Sequence, residues 1–226
     1  VAAARDALDR GVGAFVVDGR LVDGPFITRA EHTVALADRL GSLPLMKVSD
    51  RLTDTAELVL EFALRTAWRE LTAKHGTPMC GPPPREAGFA VIGYGKLGGL
   101  ELGYGSDLDL VFLHDSSGEV QRTAGPQVVD NGVFFLRLVQ RLVHLLTVHS
   151  AAGRLYEVDT RLRPSGKGGL LVQSIEGFAD YQRTDAWAWD HQALARSRAV
   201  AGDPQLRRRY EILRVELLRG AVRCET

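Results

Sequence analysis

Residues 88–115 read "GFAVIGYGKLGGLELGYGSDLDLVFLHD", and this stretch constrains the fold more than any other part of the chain. "FAVIG" and "LDLVFL" are short apolar runs bounded by glycine, the pattern of buried strands. Between them Gly93, Gly95 and Gly98 spell G-x-G-x-x-G, which invites a dinucleotide-binding reading. That reading requires a full helix after the turn, its N-terminus holding the pyrophosphate. Gly103 and Gly105 follow closely and the second strand opens near Asp107, so such a helix has no room. The acidic residue expected ~20 residues further on is also poorly placed. Gly93 and Gly95 are better read as ending one strand and shaping the turn to the next.

The aspartates of the second strand carry more information. Alternate residues of a strand face the same side, so Asp107 and Asp109 point together while Leu108 and Leu110 enter the core. Two adjacent carboxylates resist joint ionisation unless a cation lies between them. Mg²⁺ suits the role, because it takes oxygen ligands and leaves positions open for phosphate and water. The plainer alternative is a strand end with solvated acids. A third stretch, "RLYEVDTRLRP", bears on the choice. As a strand it alternates Glu157, Asp159, Arg161 and Arg163 with Val158 and Leu162, a charged face against an apolar one. Beside the other two strands, Asp159 completes a carboxylate triad that can hold two metal ions for an in-line displacement. Arg161 or Arg163 would then reach phosphate oxygens bidentately. Gly98 and Gly99 would let backbone N–H groups approach a triphosphate as an anion nest.

The rest of the chain frames this core. Within residues 1–43, "GAFVVDGRLVDG" reads as a strand pair or a loop. Asp54 and Glu57 have capping-box spacing, followed by Leu60, Leu64, Ala67 and Leu71 at helical intervals. "CGPPPREAG" is a stiff connector and the best boundary. Residues 130–150 read as a helix with Phe135, Leu138, Leu142, Leu145 and His149 on one stripe, ended by Gly153. "GGLLV" is a short strand, and Ser174 opens a helical C-terminal third. The expected organisation is an N-terminal segment over 1–85, helical from about 44, a catalytic core over 86–172 and a helical segment over 173–226. The fold class is α+β, a mixed-sheet core flanked by helices.

Composition narrows the partners. Lys+Arg and Asp+Glu both number 28, for a formal net charge of zero. A balanced domain argues against broad binding to nucleic acid. No apolar run approaches the ~20 residues of a membrane-spanning helix. Cys80 and Cys224 form neither a metal motif nor a disulfide framework, which fits a reducing cytoplasm. The N-terminus lacks both a signal peptide's apolar core and an initiator Met, as expected of a piece of a longer chain.

Two glycines, seven residues, "DLD", then "VDTRLRP" fifty residues on from Asp109 resemble the nucleotidyltransferase superfamily, of which DNA polymerase beta is a member. Over residues 43–205, "LMKVSDRLTDTAELV", "GYGKLGGLELGYGSDLDLVFLHD", "LYEVDTRLRPSGKGG" and "FADYQRTDAWAWDHQALARSRAVAGDP" resemble the glutamine synthetase adenylyltransferase family. The resemblance implies two halves, one moving AMP from ATP to a tyrosine of glutamine synthetase, the other removing it by phosphorolysis. Tyr94, "ELGY" at 101–104 and Glu157 favour the adenylylating half. Removal of AMP and a silent regulatory nucleotide-binding module are the alternatives, and retention of all three acids counts against the second. Gly105 departs from the family, which often has Ser there.

By this resemblance Asp107 and Asp109 ligate both Mg²⁺ ions, and Asp159 ligates the catalytic ion and helps take the tyrosine proton. Gly98, Gly99 and Ser106 would line the triphosphate, and Lys96, Lys167 and Arg161 would contact phosphate. Arg161 has a salt bridge to Asp159 as its simpler role, and the glycines a tight turn. The implied partners are ATP, glutamine synthetase and a nitrogen-signalling protein, without nucleic acid or membrane. Trp187, Trp189 and His191 offer an adenine platform, though Trp187, His191 and Leu194 at helical spacing read more simply as a core stripe. His144 and His149 read as structural. "LRRRYEILRVELLRG" reads as a surface helix with Leu206, Tyr210, Leu213 and Leu217 inward, its outer side open to partner contact.

Overall fold

The computed structural model describes residues 15–17, 20–22, 24–42, 44–148 and 155–224. The chain opens with an antiparallel pair, β1 (Phe15–Val17) and β2 (Arg20–Val22). Helices α1 (Gly24–Arg39) and α2 (Leu45–His75) follow. Short strands β3 (Thr77–Cys80) and β4 (Arg85–Glu86) precede β5 (Phe89–Gly93), the one-turn α3 (Gly95–Gly98), β6 (Leu108–His114) and β7 (Arg122–Ala124). Then come α4 (Asn131–Thr147), β8 (Val158–Asp159), a 3₁₀ turn (Gly166–Gly168) and β9 (Val172–Ser174). The chain closes with α5 (Ile175–Thr184), α6 (Ala188–Ala195), β10 (Arg198–Gly202) and α7 (Pro204–Cys224).

The fold is α+β. Its centre is a mixed sheet in the order β10-β5-β6-β8, with β9 also pairing to β6. β5 runs antiparallel to β6 and β10, while β8 and β9 run parallel to β6, one at each end of its free edge. Alternation sends β6 into two cores. Leu108, Leu110 and Phe112, with Phe89 and Val91, pack against α2 and α4. Val111 and Leu113, with Ala90 and Ile92, pack against α5, α6 and α7. Both faces are covered, so these strands are apolar nearly throughout.

The helices bury the expected stripes. Val48, Leu52, Ala56, Val59, Leu60, Ala63, Leu64 and Ala67 recur at three- and four-residue intervals on α2 and are buried. Phe135, Leu138, Leu142 and Leu145 do the same on α4, and Leu206, Tyr210, Leu213 and Leu217 on α7. Helix α4 ends at Thr147, and His149 and Gly153 lie outside the described residues. Ser174 caps α5 by accepting the Gly177 N–H at 3.0 Å.

Three expectations need correction. The long helix begins at Leu45, after extended Pro44 and close to the expected start at about 44, so Asp54 and Glu57 do not cap it. Asp54 and Glu57 lie inside it, where capping-box spacing equals the i,i+3 spacing of surface partners; Asp54 pairs with Arg51 at 3.4 Å. A second helix, α1, occupies 24–39, where no helix was expected. The connector "CGPPPREAG" forms the turn and second strand of the β3-β4 hairpin in a three-stranded sheet, β4-β3-β7. It is tied to the end of β6 by Arg85 Nη1 on Asp115 Oδ2 at 2.8 Å and by the Gly88 N–H on Asp115 Oδ1 at 2.6 Å.

Candidate active site

Parallel pairing of β6 with β8 sets Asp109 directly across from Asp159 and Leu108 across from Val158. The Leu108 N–H donates to Glu157 O at 2.9 Å, extending the pairing one step towards Asp107. Ligand oxygens of Asp107, Asp109 and Asp159 all lie within 4.8 Å of one another. Asp109 is half-buried, and its carboxyl is held above the usual carboxylate range. Burial is the main cause and the charges of Asp107 and Asp159 add to it, while Arg161 and Lys96 oppose it. Three carboxylates gathered this closely are hard oxygen donors that a divalent cation would relieve of mutual repulsion, so the residues fit Mg²⁺.

The turn after β5 packs directly on this site. The Tyr94 N–H donates to Asp109 O at 2.9 Å. Gly95 has φ +56°, and a Cβ there would stand 2.5 Å from Asp109 Oδ2. Glycine is required twice over, for the left-handed backbone and for the room taken by the carboxylate. Gly95 is thus the glycine that touches the acids, and sequence reasoning gave it only the role of shaping a turn. Lys96 is exposed beside it, and its charge acts on Asp109.

Gly98 and Gly99 do something different from forming a nest. Their N–H groups are spent on Tyr94 O at 3.1 Å and Gly95 O at 3.0 Å. A Cβ on Gly98 would run into the carbonyl of Arg196 and the Cα of Ser197. Close approach of the turn to the chain entering β10 therefore accounts for glycine at this position. Ser106 turns its hydroxyl back to accept the Gly103 N–H at 3.2 Å. Gly105, at φ +65°, has open space where its side chain would be.

The strand carrying Asp159 is two residues long, shorter than its alternation predicts. Asp159 itself explains the stop. Its Oδ1 accepts the Arg161 N–H at 2.8 Å, an Asx turn that draws the backbone out of the sheet. Arg161 then folds back, with Nε on Asp159 Oδ2 at 2.7 Å, and the two form an ion pair. Arg163 lies in the same loop. Its guanidinium holds its own loop, with Nη1 on Thr160 O at 2.6 Å and Nε on Gly169 O at 3.2 Å. Lys167 lies in the 3₁₀ turn, and its side chain is outside the described residues.

Two arginines missed by sequence reasoning brace the glycine turn from β10 and its approach. Arg198 Nη2 donates to Leu97 O at 3.2 Å and pairs with Glu57 of α2. Arg196 lies against Gly99 and pairs with Glu101. The only signal for them was the "RSR" that leads into the apolar "AVA".

The tryptophans depart from the core stripe. Trp187 and Trp189 are 67% and 66% exposed and stack on each other at 5.5 Å, whereas Leu194 is buried. Asp190 Oδ2 accepts the Trp187 N–H at 2.9 Å, and His191 Nε2 meets Gln182 O at 3.1 Å, fixing the start of α6. His144 faces solvent on α4 and is not a core residue.

Comparison with known proteins gives a consistent result. Residues 25–212 match the family model described as glutamate-ammonia ligase adenylyltransferase. A bifunctional glutamine synthetase adenylyltransferase/adenylyl-removing enzyme of Thioalkalivibrio sulfidiphilus is 59% identical over 187 residues, covering 82% of this chain and 19% of the relative. The similarly named protein of Shewanella loihica is 53% identical over 189 residues, covering 82% of this chain and 20% of the relative. That of Nitrosococcus oceani is 52% identical over 195 residues, covering 85% and 20%. The chain spans about a fifth of the length of these relatives.

Proposed function

This chain belongs to the glutamate-ammonia ligase adenylyltransferase family, and we propose that it transfers AMP from ATP to a tyrosine hydroxyl of glutamine synthetase. The observation that carries the reading is the pairing of Asp109 with Asp159 across β6 and β8, with Asp107 in reach of both. In this reading the tyrosyl oxygen forms a bond to the α-phosphorus, the bond from that phosphorus to the bridging oxygen breaks, and pyrophosphate leaves. Asp107, Asp109 and Asp159 would hold two Mg²⁺ ions, which when bound supply charge neutralisation for the attacking and leaving oxygens. Asp159 accepts the hydroxyl proton. Lys96, beside the triad, adds positive charge where the phosphates lie. Gly95 makes room for the Asp109 carboxylate against the turn, so the acid keeps its position beside the other two. Catalysis on this account is positioning and electrostatics.

No helix among the described residues is long and apolar enough to cross a membrane. Use of ATP and a buried free thiol at Cys80 support a cytoplasmic setting.

The second reading, phosphorolytic removal of AMP, uses the same acids in the reverse sense, and the relatives' names cover both activities. Tyr94 and Glu157 favour transfer by their resemblance to the adenylylating half. The test is incubation with α-labelled ATP, Mg²⁺ and unmodified glutamine synthetase. Label should appear on the partner and vanish with Asp109→Ala. Absence of transfer, together with phosphate-dependent release of ADP from adenylylated partner, would overturn the proposal in favour of removal.

A further inference from the structure

We infer that Arg196 binds the terminal phosphates of the nucleotide, the part that departs as pyrophosphate, and that Glu101 holds its guanidinium until the nucleotide arrives. The inference rests on the reading of the acid site as an ATP site and extends it to the far end of the glycine turn.

The geometry of α3 carries the argument. Gly95 and Gly99 stand at the two ends of this one turn, joined by the Gly99 N–H on Gly95 O at 3.0 Å. At one end the missing side chain of Gly95 would meet Asp109 Oδ2. At the other end the missing side chain of Gly99 would lie 3.4 Å from Nε and 3.5 Å from Nη2 of Arg196. A carboxylate that can hold metal and a guanidinium are thus set at opposite ends of one short turn, about one helical pitch (~5.4 Å) long. A triphosphate needs that order of charge, metal at the reacting phosphorus and fixed cations at the leaving end.

The main chain of Arg196 is fixed relative to the turn. Gly98 packs on its carbonyl, and Arg198 bonds Leu97 O from the same segment. Its side chain is available. The guanidinium is 53% exposed and the Glu101 carboxylate 62%, and an exposed pair of this kind contributes little and exchanges readily for a better partner. Among the described residues, the other candidate cations lie at the acids or hold their own loop. Lys96 acts on Asp109, Arg161 sits on Asp159, and Arg163 holds its own loop.

The test is calorimetric binding to the 226-residue chain with Mg²⁺ and either ATP or AMP, without glutamine synthetase. Arg196→Gln should weaken ATP by about 10- to 100-fold, the range for losing charge-assisted hydrogen bonds, and leave AMP within about twofold, inside the scatter of such measurements. Arg196→Lys should lie between wild type and Arg196→Gln. Glu101→Gln should tighten ATP, the opposite sign, because it frees the guanidinium. Loss of ATP and AMP affinity in equal measure would assign Arg196 a purely structural role and overturn the inference. Unchanged ATP binding in Arg196→Gln would overturn it while leaving the acid site's reading in place. A wild-type chain that binds no ATP would overturn both.

Discussion

The Cβ that Gly95 lacks would stand 2.5 Å from Oδ2 of Asp109, so the turn and the acid occupy complementary space. Gly95→Ala must either displace the carboxylate or lift the turn, and it must also hold a left-handed backbone. Activity and Mg²⁺ affinity are expected to fall by two orders of magnitude or more, as about 3 kcal/mol of misplacement implies. Gly105→Ala is the control. It has a similar φ, +65°, but open space around it. It should lose only about 1–2 kcal/mol of stability and keep its metal affinity. Chemical denaturation and Mg²⁺ titration of the two variants separate strain from collision.

Arg161 holds the carboxylate that a bound metal would need. Arg161 occupies both oxygens of Asp159, with its backbone N–H on Oδ1 and its guanidinium Nε on Oδ2. Arg161→Gln should therefore tighten Mg²⁺ by roughly 3- to 10-fold, the effect of removing one nearby cation, and on the proposed function it should also slow AMP transfer. A fall in both metal affinity and rate would point to a scaffolding role instead. Melting curves at graded Mg²⁺ give the first quantity through linkage.

His114 should make the fold acid-sensitive. It stacks on Phe135 at 4.7 Å, and its Nδ1 accepts the Ser116 N–H at 3.2 Å. Burial pushes its pKa below the ordinary 6.5, with Asp115 and Glu176 opposing. The unfolded chain therefore binds the proton more readily than the native one. The stabilising contribution is complete above about 6.5 and is lost as pH falls through the lower native value. Unfolding free energies between pH 7.5 and 5 should decline, and His114→Gln should flatten that slope.

Trp187 and Leu194 share a helical period but not an environment. Trp187→Ala is expected to change stability by no more than about 0.5 kcal/mol, the usual range for exposed positions. Leu194→Ala should cost about 2–5 kcal/mol, since Leu194 is fully buried. Urea denaturation of both variants checks the contrast.

These contrasts mark where the sequence was legible. Apolar alternation made β5 and β6 readable, and the acids of "DLD" and "VDT" could be placed on strands from the letters alone. Their register could not, because which residue of β8 faces Asp109 is decided by the long connection through α4. The strand after Asp159 was read too long, since the letters continue to alternate where an Asx turn has already taken the backbone. Among four neighbouring glycines the choice fell on Gly98 and Gly99, although Gly95 is the one against the acid. Helical phase and φ settle that, and neither is visible in a row of glycines. The tryptophans failed for a related reason: periodicity gives the face of a helix, and only its neighbours determine whether that face is covered.

Strand β6 is gripped on both sides, Leu110 and Phe112 in one core and Val111 and Leu113 in the other. The strand can neither slide nor roll without opening a layer of helices. The position of Asp109 is consequently settled by the fold itself. On the proposed function, an acceptor tyrosine would meet a fixed target and would itself have to supply the adjustment. Variants that loosen either helical layer, however distant from the acids, should then blunt discrimination between acceptors before they unfold the protein.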